Sequence, residues 1–380
     1  MSCFETGPIR PPSEATSILL RITRNCHWNK CAFCPVYKHE RFSIRKVDEI
    51  KRDIDAMAAI ADRIRRRMNA PSGAKADRAA VIDAVRSLDR DDEADSECAR
   101  QMAFWMCHGL QSLFLQDADA LVLRTEQLVE ILNHARAAFP TITRITSYAW
   151  AKTISRKSLD ELKALWAASL NRIHIGMESG SNAVLAIVQK GVTQEEQIRA
   201  GCHVMAAGIE LSEYFMPGLG GRDLSGEHAV ESAAVLVAVN PTFIRLRSTV
   251  PVPGTPLHRM MTEGRWVPLT EDEKVREIRA CLERLDGITS TVQSDHIMNL
   301  LEDVAGRLPG DKQRMLEPID RFLSMSPSDR EAFIVGRRIG RYRLVSDYAP
   351  SHDVEMARRD LISQFGTVDR GILEILPNFV

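Results

Sequence analysis

The chain has 380 residues and is 44% hydrophobic, so it is long enough for one large domain or two smaller domains with a sizeable core. Its formal net charge of −1 and its 6% aromatic content do not favour an anionic membrane surface, a nucleic-acid surface or a base-stacking platform. We therefore expect no nucleic-acid partner. The eight cysteines lack the dense spacing of a small secreted domain.

No apolar stretch approaches the roughly 18 residues of a membrane-spanning helix. Residues 1–16 also lack the apolar segment of a secretory signal. Together with the scattered cysteines, these features predict a reduced cytoplasmic protein with no membrane span.

Short apolar segments alternate with amphipathic helical segments along residues 17–260, which is typical of β/α units and a parallel sheet. This alternation predicts an α/β fold, a partial (β/α)6 barrel of the TIM type. The functional side chains of such barrels lie at the C-terminal ends of the strands. Six strands are predicted, at 17–23, 112–115, 144–147, 172–177, 209–215 and 243–249.

Two regions depart from this alternation. A helical insertion is predicted after the first strand, at about 44–107, and a helical C-terminal extension without further strands at 261–380. The predicted domains are therefore a short lead at 1–16, the barrel at 17–260 and the extension. We interpret the basic run at 63–67 as a solvated helix face rather than an RNA contact, because the chain as a whole is neutral.

Three cysteines lie within nine residues directly after the first strand, at Cys26, Cys31 and Cys34. Thiolates are soft ligands, and three in one loop without an obvious fourth indicate a [4Fe–4S] cluster with one iron open to another molecule. Two alternatives stay open. One is a zinc site completed by His27 or His39, and the other is a redox pair of Cys31 and Cys34.

The cysteine loop and two later strand ends resemble the radical S-adenosylmethionine (radical SAM) superfamily. The usual loop is Cys-x3-Cys-x2-Cys with an aromatic residue before the last cysteine; this chain has Phe33 there and Cys-x4-Cys-x2-Cys spacing. The closest subgroup is the Elp3/MiaB/NifB-type barrel shared with oxygen-independent coproporphyrinogen oxidases. Residues 176–181 and 190–193 resemble its fourth-strand signature, and residues 251–257 resemble its sixth-strand end.

This resemblance implies that Cys26, Cys31 and Cys34 hold the cluster and that S-adenosylmethionine (SAM) binds the open iron. One electron, from a donor such as flavodoxin or ferredoxin, would cleave SAM to a 5′-deoxyadenosyl radical. That radical would abstract hydrogen from a small-molecule or lipid substrate. Cobalamin-dependent methylation and methylthiolation are not expected, because no cobalamin domain or auxiliary cluster is indicated. No residue is assigned to the chemistry of the substrate.

The resemblance also implies candidate contacts to SAM. Asp117 or Asp119, after the second strand, would accept from the SAM ammonium group, although either would also suit a turn cap. Glu178 would accept from the ribose hydroxyls, with a cap or a salt bridge as its alternative. Ser147 and Arg247 are further candidates, and Arg247 would pair with the SAM carboxylate unless it forms a barrel salt bridge.

Two non-enzymatic functions remain as alternatives. A haem- or cluster-carrying chaperone would use the same barrel without turnover. A zinc-binding interaction protein would use the same cysteines without iron. The formation of 5′-deoxyadenosine and the colour of the protein distinguish both from a radical enzyme.

Overall fold

The computed structural model of the protein describes residues 3–68, 77–88 and 96–379. The strands are β1 (Ile18–Arg21), β2 (Thr23–Arg24), β3 (Ser43–Ile44), β4 (Ser112–Gln116), β5 (Arg144–Ala149), β6 (Leu170–Glu178), β7 (Glu210–Phe215), β8 (Phe243–Leu246), β9 (Thr291–Gln293) and β10 (Gly306–Arg307). The helices are α1 (Val47–Arg67), α2 (Arg78–Leu88), α3 (Ser96–Cys107), α4 (Thr125–Ala138), α5 (Ala151–Ile154), α6 (Leu159–Ala167), α7 (Asn182–Ile187), α8 (Gln194–Ala206), α9 (Gly221–Val239), α10 (Pro256–Thr262), α11 (Glu271–Leu282), α12 (Lys312–Ser324), α13 (Pro327–Arg338), α14 (His352–Phe365) and α15 (Val368–Ile375).

Eight of these strands form one sheet, in the order β1-β4-β5-β6-β7-β8-β9-β10. The pairs β1–β4, β4–β5, β7–β8 and β8–β9 are parallel, and Leu19 lies opposite Phe114 in the first of them. The six predicted strands contribute β1 and β4 to β8, which follow one another in chain order. The predicted α/β fold with a partial TIM-type barrel order is therefore confirmed.

The prediction of no strand after residue 260 is wrong. β9 continues the sheet beside β8, with Val292 opposite Ile244, and β10 pairs antiparallel with β9. These strands have three and two residues, too few to show an alternating pattern in the sequence.

The residues fall into two compact units. The first comprises Met1–His27, His39–His174 and Ala206–Glu210, and the second comprises Trp28–Lys38, Ile175–Met205 and Leu211–Val380. Within the described residues, no helix combines the length and the apolar character needed to cross a membrane.

In the first unit, α1 packs on α3, α4 and β1. Its buried face carries Ile50, Ile54 and Met57, while its last turn is basic and exposed. Arg65 pairs there with Asp62 at 2.9 Å. Arginines near a helix C-terminus are favoured by the helix dipole, so the basic run at 63–67 is consistent with a solvated helix end.

The first unit also contains a disulfide between Cys3 and Cys98, across a sequence separation of 95 residues. The prediction that the cysteines are all reduced is therefore wrong for this pair. The two residues are too far apart in the sequence for their spacing to reveal the pairing, which depends on α3 lying against the N-terminal segment.

In the second unit, α11 packs against both α9 and α12. Thr270 caps α11 in a capping box with Glu273, and buried positions such as Val275, Ile278 and Leu282 recur along one face. The region after residue 260 is therefore mainly helical, with β9 and β10 as its only strands among the described residues.

Candidate functional site

The cysteine loop begins directly after β1 and β2, at the carboxyl end of the first strand of the sheet. Cys26, Cys31 and Cys34 are thiols of intermediate burial. Cys26 belongs to the first unit, and Cys31 and Cys34 belong to the second. Among the described residues, no three His, Cys, Asp or Glu side chains are gathered as they would be around a bound metal ion.

The segment between Cys31 and Cys34 is anchored through Ala32, which is 1% exposed. Its N–H donates to the Val188 carbonyl at 2.8 Å, and its carbonyl accepts from the Leu257 N–H at 2.9 Å. Ala32 also belongs to a hydrophobic cluster with Val188 and Leu257. Both partners come from regions that resemble the radical SAM signatures, so those regions support the cysteine segment.

Lys38 and Trp28 hold the rest of this loop. The Lys38 ammonium donates to the carbonyls of Asn29 and Cys31, at 3.1 and 3.0 Å. The Trp28 indole N–H donates to the Gln189 carbonyl at 2.7 Å. Gly191 has φ +73°, and a Cβ there would lie 2.1 Å from a Trp28 ring carbon. Glycine is therefore required at this position for both conformation and space.

Glu178 ends β6 and forms an ion pair with Lys190, with 3.0 Å between Oε1 and Nζ. Both side chains are nearly buried, and the Lys190 ammonium lies 5.7 Å from the centre of the Phe33 ring in the cysteine segment. The salt bridge named as an alternative for Glu178 is thus present, and it links the fourth-strand signature to the cysteine segment.

Glu213 is a second carboxylate beside this pair and is 1% exposed. Burial raises the pKa of Glu213 well above its usual range, the charge of Glu178 raises it further, and Lys190 lowers it. Its Oε2 atom has no hydrogen-bond partner within the described part of the chain. Sequence reasoning did not single out Glu213, which lies within β7, and it placed Lys190 in the fourth-strand signature without assigning it a role.

The two candidate aspartates after β4 lie in the first unit, and each accepts hydrogen bonds from neighbouring residues. Asp117 accepts from Arg21 Nε at 2.8 Å and from the Asn25 N–H at 3.0 Å, so it ties the sheet to the start of the cysteine loop. Asp119 accepts from the Leu121 N–H at 3.2 Å and from the Thr153 hydroxyl at 2.6 Å. Its role as a turn cap, one of the two interpretations left open, is therefore observed.

Burial raises the pKa of Asp119 to about 7, while the Thr153 hydrogen bond lowers it. The His27 Nδ1 atom lies 3.8 Å from Asp119 Oδ2, which is beyond hydrogen-bond distance. Burial and the charge of Arg156 lower the pKa of His27. Near neutral pH, Asp119 is therefore only partly ionised, and His27 is protonated less readily than a free histidine.

Ser147 and Arg247 occupy different surroundings. Ser147 is buried in β5, and its hydroxyl donates to the Tyr148 carbonyl at 2.8 Å. Arg247 is exposed just after β8, and its backbone N–H donates to the Phe215 carbonyl at 3.0 Å. Burial, followed by the charge of Arg247, lowers the pKa of His296 to about 4.

The cysteine loop, the strand ends and their hydrogen bonds can be compared with known proteins. No family model matches the chain. Two curated relatives are the tRNA uridine(34) acetyltransferases of Methanocaldococcus jannaschii and Methanocaldococcus infernus, each 24% identical over 122 and 128 residues respectively. The matches cover 31% and 33% of this chain but only 22% and 23% of those proteins.

Solved structures show the same kind of likeness. An N-terminally truncated Methanocaldococcus infernus Elp3 matches with TM-score 0.40 and 18% identity over 49% of this chain and 48% of that one. The coproporphyrinogen III oxidase HemN of Escherichia coli, described as a radical SAM enzyme, matches with TM-score 0.43 and 14% identity over 68% and 50%. Methylornithine synthase (PylB) matches with TM-score 0.38 and 13% identity over 90% and 86%.

The chain is similar to radical SAM enzymes. The membership of the radical SAM superfamily that the sequence motifs indicate therefore stays a prediction. TM-scores of this size carry no argument about a substrate or a reaction, which depends on the residues of this chain.

Proposed function

We propose that the protein is a radical SAM enzyme with Cys26, Cys31 and Cys34 as the ligands of one [4Fe–4S] cluster. The observation that carries this proposal is the cysteine segment held by Ala32 against the two signature regions. Three thiols in one loop fit a cluster with an open iron by the chemistry of the donor set, because thiolates are its normal ligands. When bound, the cluster and SAM supply reductive cleavage to a 5′-deoxyadenosyl radical that removes a hydrogen atom from the substrate.

The protein's own residues would position these groups. The Glu178–Lys190 pair lies at a strand end, the position at which barrels of this type bind their ligands. Its carboxylate suits the vicinal hydroxyls of a ribose. Asp117 would hold the start of the loop through Arg21 and Asn25, which both donate to its Oδ2 atom. Asp117, Asp119, Ser147 and Arg247 remain candidate SAM contacts.

Anaerobic reconstitution tests the proposal directly. The wild-type protein should turn brown, bind about four irons per chain and form 5′-deoxyadenosine from SAM after reduction. Cys31→Ala should lose iron and product, whereas the matched variant Cys202→Ala, at an exposed cysteine on α8, should keep both. A fully loaded cluster that gives no more 5′-deoxyadenosine than Cys31→Ala would favour a cluster-carrying chaperone. A colourless, zinc-loaded protein would overturn the cluster itself.

A second candidate concerns the substrate. The curated relatives are named for a uridine of tRNA, which favours an RNA substrate over the small molecule or lipid expected from the sequence. Product formation separates the two. In the presence of SAM and reductant, incubation with bulk tRNA should raise 5′-deoxyadenosine formation and leave a modified nucleoside detectable by mass spectrometry. An unchanged tRNA would return the proposal to a small-molecule or lipid substrate.

A further inference from the structure

A pocket of about 570 Å³ lies in the first unit beside the cysteine loop. Its wall includes His27, which follows Cys26, and residues from the loops after β4 and β5. A volume of this order suits one small organic ligand, since such pockets range over roughly 300–1,000 Å³. None of the SAM contacts predicted from the sequence lines it.

One part of the pocket wall is aromatic and apolar. Trp150 lies edge-to-face with His27, with 5.1 Å between ring centres and a 65° angle between planes. Leu121, Val122 and Leu123 complete the apolar surface. Such a surface favours a flat ring over a flexible polar chain, because aromatic groups bury a large area with few rotatable bonds.

The other part of the pocket wall is cationic. Arg124 and Arg156 are exposed, and neither forms an ion pair within the described residues. Other arginines of the same unit do pair: Arg144 with Glu14 at 3.0 Å, and Arg172 with Glu210 at 2.6 Å. Two guanidinium groups without a carboxylate partner, at the rim of a pocket, suit an anionic ligand.

The remaining charged groups of the pocket offset the charge of these arginines only in part. The Lys157 ammonium donates to Thr125 Oγ1 at 3.1 Å and lies 3.8 Å from Glu161 Oε1. Glu161 also accepts from the Thr125 hydroxyl at 2.9 Å, so its carboxylate is already engaged. Glu126 is exposed in the first turn of α4 and is the one lining carboxylate without such a partner among the described residues.

The start of α4 adds a further favourable feature. Arg124 occupies the N-cap position of this 14-residue helix, and its side chain makes no capping hydrogen bond. The first turn of a helix presents N–H groups and the positive end of the helix dipole, which favour a phosphate. The start of this helix, the two arginines without carboxylate partners and the aromatic wall thus all border one cavity.

We propose that this pocket binds an organic phosphate that carries a ring, that is, a nucleotide-like group, with its phosphate at Arg124 and Arg156 and its ring at Trp150. That the ligand is the substrate of the radical reaction rests on the proposed function. The binding itself does not, because every residue that contributes to it lies outside the cysteine triplet.

Calorimetric titration of the cluster-loaded protein tests the binding, with uridine 5′-monophosphate as the probe. Uridine and ribose 5-phosphate are the control ligands, the first lacking the phosphate and the second lacking the ring. Each control ligand should bind at least about tenfold more weakly than the probe, because it lacks the contacts with either the cationic or the aromatic part of the wall. Equal affinity for the probe and uridine, or no binding of the probe, would overturn the proposal.

Variants place the site. Arg156→Gln should weaken the probe by about tenfold or more, and Trp150→Leu by a similar factor. Arg86→Gln, at a 73% exposed arginine on α2, should leave the affinity within about twofold. Arg124→Gln serves as the second test if Trp150→Leu does not fold, as judged by circular dichroism. Affinity unchanged in both arginine variants would contradict the assignment.

Two further measurements distinguish this proposal from SAM binding in the same pocket and from the proposed function. If SAM competed with the probe, the pocket would be the SAM site and the proposal would be wrong. Substrate-free cleavage of SAM should be unchanged in Arg86→Gln, because Arg86 lies outside this pocket. Loss of 5′-deoxyadenosine in the wild-type protein would overturn the proposed function while leaving probe binding intact.

Discussion

Two carboxylates, Asp119 in the first unit and Glu213 in the second, are almost completely buried, and burial raises the pKa of both. Their surroundings differ. Asp119 accepts from Thr153 and Leu121, whereas Glu213 has an unpartnered Oε2 atom within the described part of the chain and the Glu178–Lys190 pair nearby. A buried acid that is fully hydrogen-bonded supports the local backbone. One that depends on a single shared cation makes that cation the critical residue.

The largest effect is expected at Lys190. Lys190→Met would leave the nearly buried Glu178 carboxylate without its cation, so the free energy of unfolding should fall by about 3–5 kcal/mol. Urea unfolding at pH 7 measures this. Lys190→Arg keeps the charge and should lose less, and Lys51→Met, which breaks the exposed pair with Glu130, should cost less than about 1 kcal/mol. A loss in Lys190→Met no larger than in Lys51→Met would show that the shared cation is not critical.

A pH series tests Asp119. Its pKa of about 7 in the folded state lies above the ordinary value of 3.8, so the folded protein binds the proton more tightly. The protonated carboxyl group therefore makes its full contribution to the free energy of unfolding below about pH 4, and this contribution is lost as the pH rises through 7. Asp119→Asn should remove this part of the pH dependence, on the order of 3 kcal/mol between pH 4 and pH 8. Identical pH profiles for the wild type and Asp119→Asn would contradict the shifted pKa.

Removing the hydrogen bond from Thr153 shows how much this bond, rather than burial alone, contributes to the stability at Asp119. Thr153→Val removes the 2.6 Å donor to Asp119 and should cost about 1–2 kcal/mol at pH 7. Because that donor favours the charged carboxylate, the pKa of Asp119 should also rise. Thr153→Ser retains the hydroxyl and is the matched control. A loss in Thr153→Val no larger than in Thr153→Ser would contradict a role for the hydroxyl group.

The smallest effect is expected at Glu213. Burial raises the pKa of Glu213 well above its usual range and so favours the neutral carboxyl group. Glu213→Gln, which is neutral and similar in shape, should therefore change the free energy of unfolding by less than about 1 kcal/mol at pH 7. At higher pH the variant should become the more stable of the two, since only the wild type must ionise a buried acid. A large loss at pH 7 would show that Glu213 is ionised and paired.

The strand ends of the candidate site could be predicted from the sequence more completely than the contacts within the site. The strand ends that carry Glu178 and Asp117 follow from alternating apolar segments, and the parallel order of six strands was predictable from their spacing. The pairing of Glu178 with Lys190 was not, because it depends on how α7 turns the chain back after β6. The Cys3–Cys98 disulfide and the two short strands after residue 260 were missed for similar reasons.

The amino-acid sequence by itself establishes three neighbouring cysteines, the β/α order of the barrel and the resemblance to radical SAM enzymes. Each of these features depends on residues that are close together or evenly spaced in the sequence. Only the tertiary structure decided that Asp119 caps a turn and that Asp117 holds Arg21, a partner 96 positions away. Among the described residues, it also leaves Arg124 and Arg156 without carboxylate partners at a pocket rim. Such pairings depend on the register between distant elements, which no local pattern of residue types encodes.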